Sequence, residues 1–386
     1  MAVFEPPVQS PVERLRAGAG RVASAPGTWV LIGENVDHFG GVTLAGTTSL
    51  RAAAAVSPRT DGIVSVAARG PLGQEFSAQM PYDEEPTDGL ARRWWGLVHT
   101  LVQRQVLSRD TSGVDITVES DVPVGAGLGA LYAADAAIEL ALAAAHDDAD
   151  TAPFRARLAE ICSHAVATYS SLPVLRARHS VALRGAEGVS VLDYADGSLT
   201  QAPHPSRHGV RVFSVAPELG TPFTKSSDAI AAHRAFIDAA CANFGVTSLR
   251  QLPDAPGRAA QWVQARRAAG DTAAPEPETA RRWVQFCESE TLRSLAAAKA
   301  LRSRRANELF TLLNSASEAH SLATPDALVA RARERGAVAA RPAATGTSGA
   351  VIAFVPVQEA DAFAETMARE FEVVEVAAGE PARLEG

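Results

Sequence analysis

Residues 121–131 read Asp-Val-Pro-Val-Gly-Ala-Gly-Leu-Gly-Ala-Leu. Pro123, Gly125, Gly127 and Gly129 make a dense turn segment, and the alanine-rich run from Tyr132 to Ala145 after it favours helix. A glycine-rich loop that opens a helix is a cradle for phosphate. Glycine lets the backbone approach the anion, and the unpaired N–H groups of the first helical turn point at it. Pro123, Gly125, Gly127, Leu128, Gly129 and Ala130 are therefore candidate phosphate-holding residues.

Composition frames that loop. The 386 residues are enough for two domains, placed at 1–200 and 201–386 with a junction near 195–210. With 47% hydrophobic and 21% charged residues the chain reads as an ordinary globular protein. Its net charge of −8 argues against non-specific nucleic-acid binding. No apolar run reaches the ~18–20 residues of a membrane span. The start, Met-Ala-Val-Phe-Glu-Pro-Pro, lacks the pattern of a signal peptide. Cys162, Cys241 and Cys287 are widely spaced and show no zinc pattern, which suits a reducing compartment. The expected location is the cytoplasm, with neither membrane nor nucleic acid as partner.

Outward from the loop, periodicity predicts strands at 21–33, 43–56, 62–68, 114–119, 189–194, 210–215, 350–355 and 372–376. Helices are predicted at 12–19, 90–104, 154–169, 228–243, 259–268, 278–302, 306–313, 325–335 and 357–369. The closing order helix–strand–helix–strand suits an α+β layer with helices on one face.

Three ordered blocks carry a family resemblance. The first, Ala25-Pro26-Gly27-Thr28-Trp29-Val30-Leu31-Ile32-Gly33-Glu34-Asn35-Val36-Asp37-His38-Phe39-Gly40-Gly41, resembles the galactokinase signature Ala-Pro-Gly-Arg-Val-Asn-Leu-Ile-Gly-Glu-His-Thr-Asp-Tyr-Asn-x-Gly. The second is the glycine loop, similar to Pro-x-Gly-x-Gly-Leu-(Gly/Ser)-Ser-Ser-Ala in the GHMP small-molecule kinases. The third, Arg341-Pro342-Ala343-Ala344-Thr345-Gly346-Thr347-Ser348-Gly349-Ala350, is similar to the family's Arg-Met-Thr-Gly-Gly-Gly-Phe-Gly-Gly-Cys loop. The resemblance implies the two-domain α+β GHMP fold, a ligand cleft between the domains, and ATP and Mg²⁺ as cofactors in phosphorylating galactose at position 1.

Carried over residue by residue, the resemblance makes Glu34, Asn35 and Asp37 the sugar-hydroxyl ligands. Two carboxylates accepting from adjacent hydroxyls form charge-assisted bonds; the alternative for Asp37 is a cap on a local N–H in the turn. The catalytic positions depart from the family. Thr28 stands at the arginine that stabilises the transferring phosphoryl group, and Ala130 and Leu131 stand at the two serines, one of them a Mg²⁺ ligand. Asp135 is the remaining candidate metal ligand; the alternative is a solvated carboxylate on the helix face. Counting from Pro173 or back from Gly185 puts Arg178 at the general-base aspartate. An arginine cannot accept a proton at neutral pH. His179 is the neighbouring alternative base, and is otherwise a partly exposed loop or helix-start histidine. The family's sugar-contacting tyrosine falls at Ala229, after Ser226-Ser227-Asp228.

Loss of base, arginine or metal ligand each typically costs on the order of 10²–10⁴ in rate, without simple additivity. The Mg²⁺ site is expected to be lost. Three functions stay open: a sugar-binding sensor or regulator with impaired kinase activity, an active ATP-dependent sugar kinase with substituted catalytic residues, and a scaffold for an unidentified protein partner.

Overall fold

The chain is described by a computed structural model at residues 3–15, 20–221, 227–315, 322 and 324–385. Elements follow in the order α1 (Pro11–Arg14), β1 (Arg21–Ile32), β2 (Val42–Pro58), β3 (Ile63–Arg69), β4 (Glu75–Pro81), α2 (Gly89–Gln103), β5 (Val114–Ser120), α3 (Ala130–Ala143), α4 (Ala152–Tyr169), α5 (Arg176–Arg184), β6 (Val189–Asp193) and β7 (Ser198–Ala202). They continue with β8 (Val210–Ala216), α6 (Ser227–Phe244), α7 (Ala255–Ala268), α8 (Pro277–Arg302), α9 (Ala306–Asn314), α10 (Asp326–Glu334), β9 (Ala339–Pro342), β10 (Val351–Pro356), α11 (Ala360–Met367), β11 (Glu372–Glu375) and β12 (Arg383–Glu385).

The result is a mixed α+β fold on two sheets. The first has the order β12-β1-β2-β5-β3-β4, with β6 also pairing β2 and β7 pairing β6; the second is β11-β8-β10-β9. β1 and β2 are long and antiparallel, running from Arg21 opposite Val56 to Ile32 opposite Leu44. Both are almost wholly buried, which explains their near-continuous runs of alanine and β-branched residues. Their pairing slips between Pro26 and Thr28. The Thr28 N–H released there donates to the Leu128 carbonyl at 2.8 Å, so the first block is tied to the glycine loop. α3 lies across β1 and β2 with Ala133, Ala136, Ala137, Ile138, Leu140 and Ala141 buried. Small side chains there let helix and sheet approach closely.

Four strands among the described residues lie outside the periodicity reading, one of them the four-residue β9. β4 alternates exposed and half-buried positions, β7 is mostly exposed, and β12 has three residues. α5 is also new; its sequence Arg-Ala-Arg-His-Ser-Val-Ala-Leu-Arg is polar by composition, yet Ala177 to Leu183 are all buried. At the N-terminus helix covers only Pro11–Arg14, begun by a Ser10–Glu13 capping box; residues 16–19 of the expected helix lie outside the described residues.

Candidate ligand site

The three blocks meet. Gly127 adopts φ +69°, and a Cβ there would stand 2.4 Å from the Ala343 Cβ and 3.2 Å from Ser348 Oγ. Only glycine admits the third block so close to the loop. Gly129, also at φ +69°, leaves α3 without a side-chain cap. A Cβ at Gly129 would be 2.7 Å from Thr28 Oγ1 and 2.9 Å from Arg178 Nη1.

Arg178 sits at this junction, only 2% exposed. Its guanidinium donates to the Thr28 carbonyl of the first block, to the Gly127 carbonyl of the loop at 3.0 Å, and to the Ala343 carbonyl of the third block at 3.2 Å. Its carbon lies 5.7 Å from the Tyr132 ring centroid. One rigid five-donor fork thus links three distant segments. Burial pulls its pKa down, opposed by Tyr132 and Glu34. The cavity beside the loop measures about 110 Å³. Among the described residues its lining carries side-chain oxygens at Tyr132, Thr347 and Ser348 but no carboxylate.

Asp135 and His179, on the helices that carry the loop and Arg178, do not line that cavity. Asp135 is fully buried, so it is not a solvated helix-face carboxylate. Its Oδ1 accepts from Arg93 Nε at 3.0 Å and from Trp94 Nε1 at 3.0 Å. Its Oδ2 accepts from Arg93 Nη2, with His179 Nε2 at 3.1 Å. Burial raises its pKa, but Arg93 and His179 outweigh it and hold the carboxyl down at about 2. It does not line the loop cavity, so it is not placed to hold an ion there. His179 is likewise wholly buried rather than a partly exposed residue, with Nδ1 3.1 Å from Ser163 Oγ. Burial lowers its pKa against the pull of Asp135. A neutral ring donating from Nε2 to Asp135 and accepting at Nδ1 from Ser163 satisfies both contacts.

The turn between β1 and β2 holds Glu34, Asn35 and Asp37. Asn35 takes φ +58°, a left-handed conformation that asparagine tolerates. Glu34 Oε2 accepts from Thr345 N at 2.7 Å and Thr345 Oγ1 at 2.6 Å. Burial raises the Glu34 pKa, partly offset by the Thr345 bonds. Asp37 Oδ1 lies 3.6 Å from Arg234 Nη2 on α6. Burial would raise the Asp37 pKa, but Arg234, His38 and Arg176 together pull it below the usual range. Glu34 Oε1, Asn35 Oδ1 and both Asp37 carboxylate oxygens are buried without a hydrogen-bond partner. These acceptors suit a donor such as a hydroxyl or ordered water. Yet the space enclosed by Glu34, Asn35, Asp37, Arg176 and Tyr194 is about 10 Å³, room for about one water. Glu34 also borders a cavity of about 390 Å³ lined further by Glu290, Arg341 and Thr345.

Sequence reading misses the supports of this turn. Glu290 of α8, 2% exposed, accepts from Gly33 N at 3.1 Å and pairs with Arg341 at 3.0 Å and Arg293 at 3.0 Å. Ser248 Oγ donates to the Phe39 carbonyl at 2.6 Å. None has a motif; each comes from more than 200 residues away. Ala229 lies on α6, whose start follows residues 222–226, outside the described set, so Ser226 is not placed. No helix among the described residues is long and apolar enough to cross a membrane.

Residues 14–58, which contain β1, the turn and β2, match the galactokinase galactose-binding signature. The chain is 27% identical to a Bos taurus galactokinase over 184 residues, 47% of this chain and 46% of that relative, so this match spans about half of the relative's length. It is 29% identical to a Mycobacterium tuberculosis (strain H37Rv) galactokinase over 356 residues, 89% of this chain and 92% of the relative. The solved structure of Lactococcus lactis galactokinase complexed with galactose shares the fold, with a TM-score of 0.74, 17% identity and 94% of each chain covered. A signature on the turn between β1 and β2, relatives along most of the chain and one shared fold agree: the chain carries the galactokinase galactose-binding signature, has galactokinases as homologues and shares the fold of a solved galactokinase.

Proposed function

We propose that this protein acts by binding a sugar or related small molecule as a sensor or regulator, with the family's phosphorylation of galactose impaired or absent. The observation that carries this reading is Arg178. Where the resemblance places a proton-accepting aspartate, the chain has a buried guanidinium already committed to three backbone carbonyls. It can neither take a proton nor leave without opening the junction of the three blocks. Phosphoryl transfer depends on positioning and on charge stabilisation by metal and cationic groups. The residues present do not fit Mg²⁺, a hard cation that needs oxygen ligands. Ala130 and Leu131 offer none, and neither Asp135 nor any other carboxylate among the described residues lines the loop cavity. ATP affinity is accordingly weak and insensitive to Mg²⁺.

The unpartnered acceptors of the turn favour a polyhydroxylated ligand. As the side chains stand, admitting one requires Arg176 or Tyr194 to shift, or entry from the larger space on the other face of Glu34. In this reading the protein works in the cytoplasm, with domains 1–200 and 201–386, the last strand β12 returning to the first sheet. The rival, a working kinase based on His179, is disfavoured because that ring is turned into the buried Asp135–Ser163 contacts.

Calorimetric titration with galactose and other hexoses, with and without ATP·Mg²⁺, tests the proposal alongside a coupled assay for ADP. Sugar binding with no sugar-dependent ADP release is expected. Robust turnover by the wild type, abolished by His179→Ala, overturns it.

A further inference from the structure

Beside Arg178, three helices bring together a set of side chains that neither the sugar turn nor the glycine loop uses. Asp135 of α3, Cys162 of α4 and His179 of α5 place one potential ligand atom each within 4.8 Å of one another, and all three are buried. Asp135 Oδ2 and His179 Nε2 are 3.1 Å apart. Two ligands held about 2.0 Å from one zinc at a tetrahedral angle lie about 3.3 Å apart, so this pair already spans one edge of such a site. A fourth group stands independently of that geometry. Glu139, one helical turn beyond Asp135 on the same face of α3, is fully buried, and neither carboxyl oxygen has a nitrogen or oxygen donor among the described residues. The Cys162 thiol, a weak donor, is its side-chain neighbour, and Asp135 also acts on its ionisation. A buried carboxyl with no donor stronger than a thiol is costly, and an ion would satisfy it.

We propose that Asp135, Glu139, Cys162 and His179 form an internal transition-metal site, suited to Zn²⁺ or Co²⁺ and distinct from any magnesium position at the glycine loop. The donor set supports the class of metal. One thiolate, one imidazole and two carboxylates make a mixed, borderline-soft tetrahedral set, which Ca²⁺ and Mg²⁺ do not select. Arg93 does not exclude the ion. Its guanidinium holds Asp135 from the α2 side and orients it, as hydrogen bonds behind a ligating carboxylate do. On loading, the Cys162 thiol proton and any proton on Glu139 are given up, and the His179 proton moves from Nε2, which then ligates, to Nδ1, where Ser163 Oγ accepts it. The other charged group acting on His179 is Glu160 of α4. The site is sealed, so loading accompanies folding.

The test uses the full chain refolded with Co²⁺ or Zn²⁺, then dialysed against free metal. The expected result is one metal per chain by elemental analysis. The cobalt form should show a thiolate-to-cobalt charge-transfer band in the near ultraviolet and intense visible bands of tetrahedral Co²⁺. Cys162→Ser should abolish the charge-transfer band, and Glu139→Gln should weaken affinity at least about tenfold. Refolded wild type that retains no stoichiometric metal overturns the proposal, whether or not the variants fold. So does equal metal binding by wild type and a folded Cys162→Ser, which would place the ion elsewhere.

Discussion

Replacing Arg178 with aspartate restores the residue type that the family resemblance expects, and the structure says that this change breaks the protein. The substitution removes donors to the Thr28, Gly127 and Ala343 carbonyls. It also places a carboxylate among three acceptors in a site that is nearly inaccessible to water. Hydrogen bonds from a charged donor contribute about 1.5–3 kcal/mol each. Three would total more than 4 kcal/mol, reduced because burying the guanidinium carries its own desolvation penalty. Removing one member of a buried charged arrangement typically costs about 3–5 kcal/mol, and that range applies here. With about 2.1 cal/mol/K of unfolding entropy per residue, a 386-residue chain shifts its melting temperature by roughly 1.2 °C for each kcal/mol, so a loss of about 4–6 °C is expected. Arg178→Lys keeps a charge but not the planar fork and should fall between wild type and Arg178→Ala. Thermal unfolding by circular dichroism gives the order, and the coupled assay runs on whatever remains folded. Arg178→Asp within about 1 kcal/mol of wild type, or with new galactose-dependent turnover, would refute the reasoning.

Three further outcomes follow from the same contacts. Glu290→Ala leaves Arg341 and Arg293 without their shared carboxylate and Gly33 without its acceptor; urea denaturation should register a loss of about 3–5 kcal/mol. Gly127→Ala forces an L-residue into φ +69° with its Cβ 2.4 Å from the Ala343 Cβ; a loss of at least about 2 kcal/mol is expected by the same measurement. Two groups make stability depend on pH in the same direction. His179 is depressed in the folded state, so its contribution begins to fall as pH drops below the unfolded value of 6.5. Asp135, held at about 2 against 3.8, contributes on the order of 2 kcal/mol above pH 3.8 that is lost as pH falls through about 2. Acid titration of wild type against His179→Gln should show the upper limb missing in the variant.

Local signals in the chain were enough for the long elements. Alternation and β-branching mark β1 and β2, helical spacing with buried Trp94, Leu97 and Leu101 marks α2, and glycines before an alanine run mark the loop and α3. The meeting of the three blocks at one junction was also legible, because their order and residue types are those of a known family. β4, β7, β9 and β12 were not legible, since short or solvent-facing strands carry little alternation and are held by their neighbours' ladders. α5 shows the same limit in a helix, because its polar residues are buried only through partners on other elements.

The roles of single side chains were decided by tertiary structure alone. That Arg178 binds carbonyls at 28, 127 and 343, that Glu290 secures Gly33, and that Asp135 faces Arg93 and His179 rather than the loop are contacts between distant segments. A residue's type fixes how many protons it can give or accept. Which partners satisfy them is fixed only when folding excludes water and leaves each buried polar group to the atoms within reach.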